Sequence, residues 1–183
     1  AANFIANEFE KIGLNPKNGN QFFQNFNIDI NTFPKRVEVN IGDKKLNPGI
    51  DFMVDPSSGS AKGTYELDEV NLYNWQQLTK NFHNTKRAFL LDISAILDRD
   101  TLAMFKELKF RLAQIAPVVL LTNDKLTWSL SSFKFNFPLL EIKKVVFDKS
   151  LKLIDIDVEN EFKKSLITQN IIGFLKGKKS KYI

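Results

Sequence analysis

The stretch from Lys86 to Thr122 constrains the fold of this chain more than any other part of the sequence. It begins with Arg87-Ala-Phe-Leu-Leu-Asp-Ile93, a short and nearly unbroken apolar run that is typical of a strand covered on both faces. Apolar residues then recur at spacings of three and four, which predicts one stripe of an amphipathic helix. The residues of this stripe are Leu102, Phe105, Leu108, Leu112 and Ile115.

Both ends of this predicted helix carry local signals. Asp98 or Asp100 can accept hydrogen bonds from the free N–H groups of its first turn. Pro117 cannot continue a helix, and the apolar run Val118-Val-Leu-Leu-Thr122 predicts a second buried strand. A strand, a helix and a strand in this order indicate a right-handed crossover. Since no glycine-rich loop follows the first strand, we do not predict a nucleotide site there.

The remainder of the chain predicts a second helix and many short strands. An N-terminal helix over residues 1–12 is closed by Gly13 and Pro16, and its apolar face carries Ile5, Phe9 and Ile12. The pattern at residues 73–82 fits one helical turn or a loop, and residues 161–165 read as a polar link. Apolar runs and alternation predict strands at 23–30, 37–41, 44–46, 50–54, 64–71, 139–147, 153–159 and 167–175. Two helices and eight to ten strands predict an α+β fold with mixed strand pairing.

The composition of the chain excludes several kinds of site and structure. The chain has 183 residues, no cysteine and a formal net charge of +5, so disulfides and thiolate metal sites are excluded. No apolar run reaches the ~20 residues that a membrane-spanning helix needs. We interpret the cluster of Lys176, Lys178, Lys179 and Lys181 as a solvated turn, with an electrostatic nucleic-acid contact as the alternative. The 17 phenylalanines indicate a Phe-rich core, with an aromatic binding face as the alternative.

His83 and one strand with alternating carboxylates are the candidate metal ligands in the sequence. His83 is the single histidine, and one histidine cannot supply the three or four ligands of a zinc site. We therefore expect it to be a structural or surface residue. Asp155, Asp157 and Glu159 alternate along one strand, where they predict a solvated face or, alternatively, a cation site.

Two loops are the candidates for binding. Residues 55–63 form the loosest part of the sequence, a loop of small and polar residues that reads as surface or, alternatively, as an anion site. Residues 123–136 form a second polar loop, which carries Trp128. We interpret Trp128 as an anchor for this loop, with a ligand contact as the alternative.

Segments at both ends and in the middle of the chain resemble a known family. Phe4-Ile-Ala-Asn-Glu-Phe-Glu-Lys-Ile-Gly-Leu-Asn-Pro16, followed by Phe23-Gln-Asn-Phe26, resembles the N-terminal segment of the di-zinc aminopeptidase family, which includes the glutamate carboxypeptidase-like metallopeptidases. Thr168-Gln-Asn-Ile-Ile-Gly-Phe-Leu-Lys-Gly177 looks like a strand that precedes the first metal ligand in that family. The stretch Lys86–Thr122 is similar to the protease-associated domain that many members carry between these ends.

The resemblance implies a division of the chain. Residues 1–33 and 166–183 would belong to the catalytic domain, with strands 23–30 and 167–175 paired, and residues 34–165 would form the inserted domain. The chain departs from the insert's usual glycines at residues 84–86 and 115–117. The two zinc ions and their ligands would lie in the remaining catalytic domain of the parent protein, so we assign no catalytic, cofactor-binding or metal-binding residue here.

The resemblance also implies a function. This portion would be non-catalytic, and it would shape substrate access or mediate contacts with peptides or proteins. Its partners would be its own catalytic domain and a peptide or protein substrate, in a secreted or periplasmic protein, with no nucleic acid. Apolar surface left uncovered at the two ends would favour a homodimer of this chain. The alternatives are a stand-alone interaction domain and, on charge alone, a nucleic-acid-binding module.

Overall fold

The computed structural model describes residues 1–17, 19, 21–80, 82, 86–148 and 150–177. Its helices are α1 (Ala2–Lys11), α2 (Trp75–Lys80) and α3 (Arg99–Leu112), with a 3₁₀ turn at Lys144–Val146. The strands are β1 (Asn15–Pro16), β2 (Phe23–Thr32), β3 (Val37–Ile41), β4 (Lys44–Lys45), β5 (Phe52–Val54), β6 (Ala61–Glu69), β7 (Arg87–Asp92), β8 (Val118–Thr122), β9 (Leu139–Lys143), β10 (Leu153–Val158), β11 (Glu161–Ile171) and β12 (Gly173–Phe174).

The chain is a mixed α/β structure in which strands predominate, and it divides into two compact units. One unit comprises residues 1–28 and 164–183, and the other comprises residues 29–163. The assignment of residues 1–33, 34–165 and 166–183 to separate functional domains stays a prediction. None of the described helices is long and apolar enough to cross a membrane.

The larger unit is built on one eight-stranded sheet. Its strand order is β4-β3-β10-β6-β7-β8-β9-β5. Four adjacent strands, β6, β7, β8 and β9, run parallel, whereas the remaining pairs are antiparallel. The predicted strand, helix and strand around residue 100 are confirmed as β7, α3 and β8, and the mixed strand pairing is also confirmed.

Both faces of the central strands are covered, as their unbroken apolar sequence predicted. In β7, Ala88 and Leu90 belong to one apolar cluster, while Phe89 and Leu91 belong to the other. Strand β8 divides in the same way, because successive side chains of a strand point to opposite faces. The first cluster also contains residues of β3, β5, β6, β9 and β10, and the second contains the buried stripe of α3.

Helix α3 begins at the predicted cap and ends earlier than predicted. The carboxylate of Asp98 accepts a hydrogen bond from the Thr101 N–H at 2.7 Å. Hydrogen bonds from the Thr101 hydroxyl and from this N–H lower the pKa of Asp98, because they favour the charged form. The helix stops at Leu112, and Ile115 is partly exposed in the following turn. The prediction that Ile115 extends the buried stripe was therefore wrong.

Helix α1 closes in the smaller unit with a Schellman motif. The N–H of Gly13 donates to the Glu10 carbonyl at 3.0 Å, and the N–H of Leu14 donates to the Phe9 carbonyl at 2.9 Å. Gly13 adopts the predicted left-handed conformation, with φ of 77°. Only part of the predicted apolar face is covered, because Phe9 packs on Phe22 and against the Cα of Gly173, whereas Ile5 and Ile12 are exposed.

Two further sequence predictions differ from the structure, and two others are confirmed in part. Residues 161–165 were predicted to be a polar link, but they begin β11, which pairs with β2. The predicted pairing of strands 23–30 and 167–175 is thus confirmed up to Ile171, whereas Gly173–Phe174 form β12 and pair with β1. The strand predicted at 139–147 ends at Lys143 in a 3₁₀ turn, where the Lys144 ammonium pairs with Asp92 at 2.8 Å. Residues 75–80 form helix α2, which is the helical alternative predicted for residues 73–82.

Candidate functional site

The two candidate loops, predicted at 55–63 and 123–136, meet in the larger unit. The first loop ends earlier than predicted, because residues 61–63 belong to β6. The Phe135 N–H donates to the Ser57 carbonyl at 2.6 Å, and the hydroxyls of Ser57 and Ser131 are 3.1 Å apart. The Ser131 carbonyl in turn accepts from the N–H of Asn31, at the end of β2, at 2.9 Å. The structure therefore brings together two loops that lie about seventy residues apart in the sequence.

A buried asparagine holds this junction. The side chain of Asn31 is only 5% exposed, and its amide nitrogen donates to the carbonyls of Pro56 at 2.8 Å and Ser58 at 2.7 Å. Its amide oxygen accepts from the Asn160 amide at 2.7 Å. Every polar atom of this side chain thus has a partner, which is what a buried amide needs to avoid a desolvation penalty.

The backbones of the two loops approach closely at Gly59. A Cβ atom at this position would lie 2.6 Å from the Phe135 carbonyl oxygen, which is shorter than any normal contact. Next to it, the buried Ser58 hydroxyl accepts from the Leu139 N–H at 2.9 Å. Gly59, one of the small residues of this loop, is therefore required by the close approach of the two backbones.

A buried lysine fixes the start of the first loop. The ammonium of Lys109, on α3, lies 2.8 Å from the Glu141 carboxylate and 3.8 Å from that of Asp55. The Asp55 carboxylate also accepts from the Ser57 N–H at 2.9 Å. The buried charge is thus paired, and the ion pairs connect α3, β9 and the first loop.

Beside this junction lies an open cavity of about 470 Å³. We call it the Trp128 groove. Trp128 and Leu130 form one wall and are 84% and 74% exposed, an unusual position for large apolar side chains. The described residues that line the groove are Ile30, Asn31, Thr32, Phe33, Val37, Pro48, Gly49, Met53, Val54, Pro56, Trp128, Ser129 and Leu130.

The lining of the Trp128 groove is uncharged. None of these described residues is acidic or basic, although 26% of the residues in the chain are charged. The Asn31 amide is already fully bonded, and the Thr32 hydroxyl donates to the Glu161 carbonyl at 2.9 Å. The groove therefore offers mainly apolar contact, and it supplies no general acid, base or nucleophile with a catalytic partner.

The three carboxylates considered as a cation site face basic and hydroxyl groups instead. Asp157 pairs with Arg36 at 3.3 Å and with Lys62 at 3.1 Å. Glu159 pairs with Lys35 at 2.5 Å, and this hydrogen bond raises the pKa of Lys35. Asp155 accepts from Thr64. Within the described ranges no group of three or more His, Cys, Asp or Glu residues could hold a metal ion, so these residues do not fit the zinc that the family resemblance implies.

Some residues singled out in the sequence lie outside the described residues, and some residues of the groove were not predicted. His83, Lys178, Lys179 and Lys181 lie outside the residues that the structure describes, whereas Lys176 lies within them. Trp128 was considered as a loop anchor, but its exposure favours the alternative of a ligand contact. Asn31 and the β2 and β5 residues of the groove were not predicted, because their strand patterns carry no mark of a binding site.

The fold, once described, can be compared with solved structures. It matches an aminopeptidase from Aneurinibacillus sp. strain AM-1 at 21% identity and a TM-score of 0.58, and the zinc aminopeptidase BSAP from Bacillus subtilis at 19% and 0.59. A peptidase M28 precursor from Shewanella amazonensis matches at 9% identity and 0.59. The fold is that of part of these peptidase chains.

These matches are extensive for this chain and partial for its neighbours. They cover 99%, 98% and 94% of this chain, but 43%, 41% and 44% of the respective neighbours. The chain thus spans a little over two-fifths of the length of the solved structures that it resembles. No protein-family model matches the sequence, and no curated protein matches it.

Proposed function

We propose that this chain is a non-catalytic portion of a zinc-dependent aminopeptidase or carboxypeptidase, similar to a protease-associated domain, and that its Trp128 groove contacts peptide or protein segments. The fold shared with part of three peptidase chains supports the link to peptidases. The single observation that carries the binding role is the uncharged groove with Trp128 and Leu130 exposed on its wall.

The same proposal covers the arrangement of the parent protein. Residues 34–165 would be the inserted domain, and residues 1–33 and 166–183 would belong to the catalytic domain, which would hold two zinc ions. The parent protein would be secreted or periplasmic. The exposed apolar side chains of Phe4 and Ile5 on α1, and of Ile12 at its C-cap, support a role for this helix in packing on further protein.

The groove has the size and chemistry to bind a peptide segment weakly. Its volume of about 470 Å³ lies within the range of small-ligand pockets, roughly 300–1,000 Å³. Covering about 150–200 Å² of apolar surface on Trp128 and Leu130 would contribute about 4–5 kcal/mol at ~25 cal/mol per Å². Because association itself costs about 4 kcal/mol or more, this contact alone gives weak binding, and we expect saturation only at peptide concentrations of about 1 mM or above.

Calorimetric titration with a capped, uncharged peptide tests this function. We expect Ac-Thr-Val-Thr-Val-Thr-NH2 to bind the whole chain saturably, and Trp128→Ala to weaken this binding about tenfold. Tyr73→Ala is the matched control, because Tyr73 is an exposed aromatic residue of the same unit that does not line the groove. No saturable binding, or equal losses in both variants, would reject the groove as the binding site.

A second assay tests the non-catalytic part of the proposal. The chain is incubated with excess zinc and the free-amino peptide Thr-Val-Thr-Val-Thr, and the products are analysed by mass spectrometry. We expect the peptide to be recovered uncut. Cleavage that disappears on addition of a chelator would show that this chain carries a catalytic metal site, and the proposed function would then be wrong.

A further inference from the structure

The two edges of the eight-stranded sheet differ in charge. The edge strand β4 consists of two exposed lysines, Lys44 and Lys45, a composition that discourages another strand from pairing with it. The opposite edge strand, β5, consists of Phe52, Met53 and Val54 and carries no charge. Met53 and Val54 line the Trp128 groove, so this uncharged edge is part of the candidate binding site.

The register of β5 determines which backbone groups point into the groove. Lys143 N–H donates to the Asp51 carbonyl at 2.9 Å, and Asp55 N–H donates to the Leu139 carbonyl at 2.9 Å. These bonds lie two residues before and after Met53, which pairs with Glu141. Because bonded and non-bonded pairs alternate in an antiparallel ladder, Met53 points its backbone groups toward β9. Phe52 and Val54 must then point theirs away from β9.

Among the backbone groups of β5 that point away from β9, hydrogen bonding to described residues is seen only at the Phe52 end. The Phe52 carbonyl accepts from the Gly49 N–H at 2.7 Å, which agrees with its outward direction. For the N–H and the carbonyl of Val54, the part of the chain that the structure describes provides no hydrogen-bond partner. Val54 thus presents one donor and one acceptor side by side on the groove, the pair that an added strand satisfies.

We propose that β5 binds an extended, uncharged peptide by strand addition, with its backbone paired to Val54 and an apolar side chain against Trp128 and Leu130. This inference rests on the proposed function and specifies how the peptide is held. The charge of the site identifies the occupant, because a charged segment would lose its hydration in the uncharged groove without gaining an opposite charge. An extended backbone with small apolar side chains carries no charge and therefore avoids this loss of hydration.

Strand addition makes a prediction that simple apolar binding does not. In an added strand, every second residue directs its N–H toward β5, and the residues between direct theirs away. A single N-methyl group therefore abolishes pairing at one position and has little effect at the next. The peptides differ by one methyl group and keep the same side chains, so apolar contact with Trp128 is unchanged.

The test uses calorimetric titration of the whole chain with Ac-Thr-Val-Thr-Val-Thr-NH2 and its five single N-methyl derivatives. Because Val54 offers the one free carbonyl of β5 among the described residues, we expect affinity to fall at least tenfold for methylation at the one position whose N–H meets that carbonyl, and less than twofold at the other four positions. Binding of all six peptides with equal affinity would overturn strand addition and leave the proposed function intact. If no peptide binds, the proposed function itself fails.

Two proline variants locate the site on the protein. Val54→Pro removes an N–H that points away from β9, so the β5–β9 ladder can persist, and proline is tolerated at sheet edges. We expect it to weaken binding of the unmethylated peptide at least tenfold. Lys45→Pro is the matched control on the other edge, because the Leu46 N–H pairs with the Val39 carbonyl and the Lys45 N–H then points outward.

The remaining outcomes are also decisive. Equal affinity in Val54→Pro and Lys45→Pro would place the peptide elsewhere and overturn the inference. Circular dichroism checks that each variant is folded, and if Val54→Pro does not fold, the N-methyl series alone decides. A wild-type dimer in sedimentation equilibrium that Val54→Pro dissociates would identify a second copy as the occupant, and the assignment of a peptide would be wrong.

Discussion

Asn31→Asp is the substitution that most directly tests how the groove is held together. It keeps the shape of the side chain and replaces the donating nitrogen with an oxygen. In the wild type this nitrogen donates to the carbonyls of Pro56 at 2.8 Å and Ser58 at 2.7 Å. The variant therefore places a carboxylate oxygen against two carbonyl oxygens, at a site that is 5% exposed.

The expected loss of stability follows from these contacts. Two hydrogen bonds are removed at about 1 kcal/mol each, and the buried Ser58 carbonyl loses a partner at a further ~1–3 kcal/mol. We expect the free energy of unfolding to fall by about 3–5 kcal/mol, a large part of the ~5–15 kcal/mol typical of a protein. With a urea dependence of about 2 kcal/mol per M, the unfolding midpoint should fall by about 2 M.

The pH dependence of this loss gives a second signature. Burial and the facing carbonyls should raise the pKa of the new carboxyl group in the folded state above its unfolded value of about 3.9. The electrostatic part of the destabilisation is then fully present above the raised pKa, and it is lost as the pH falls through that value toward about 4. The deficit relative to wild type should therefore shrink from pH 7 to pH 4.

Urea unfolding followed by far-ultraviolet circular dichroism measures both effects. Asn27→Asp is the control, because Asn27 lies on the same strand, is exposed and gains the same charge. We expect its midpoint to stay within about 0.3 M of wild type. If Asn31→Asp shifts the midpoint by no more than this control does, the Asn31 contacts do not hold the loops.

Three further predictions address other parts of the chain. Gly59→Ala should cost about 1–3 kcal/mol in urea unfolding, because its Cβ meets the backbone of the facing loop, and an unchanged midpoint would refute this close approach. The chain should self-associate in sedimentation velocity through α1 and its C-cap, where Phe4 and Ile12 are 68% and 69% exposed. The double variant Phe4→Glu, Ile12→Glu should be monomeric, and a monomeric wild type would contradict this. Burial raises the pKa of Tyr65, so the unfolded state loses this proton first, and stability should fall above about pH 10 more steeply in wild type than in Tyr65→Phe.

The central part of the fold could be predicted because its signals are local. The apolar run of β7, the spacing of apolar residues in α3 and the cap at Asp98 each lie within a few residues, and all three were found where predicted. Spacing alone could not show where the core ends, so the helix was extended to Ile115. The start of β11 could not be read from residues 161–165, since its strand conformation comes from pairing with the distant β2.

The candidate site was predictable only in part. Composition identified both loops and marked Trp128, because small polar residues and an isolated tryptophan are visible in the sequence. Their meeting depends on contacts of Asn31 with Pro56, Ser58, Ser131 and Asn160, which lie 25 to 129 residues away. One asparagine in a strand that also holds Asn25 and Asn27 gives no local sign of this role. The open edge at Val54 likewise depends on the register of the whole sheet.

The central claim is that peptide binds in the Trp128 groove along β5, and amide chemical shifts test it most directly. Two-dimensional ¹H–¹⁵N spectra of the whole chain would be recorded during titration with Ac-Thr-Val-Thr-Val-Thr-NH2. The proposal predicts saturable shifts at Val54 and at residues 128–130, with the Val54 amide proton moving downfield as it gains a hydrogen bond. Shifts confined to other parts of the chain, or no saturable shift, would contradict it.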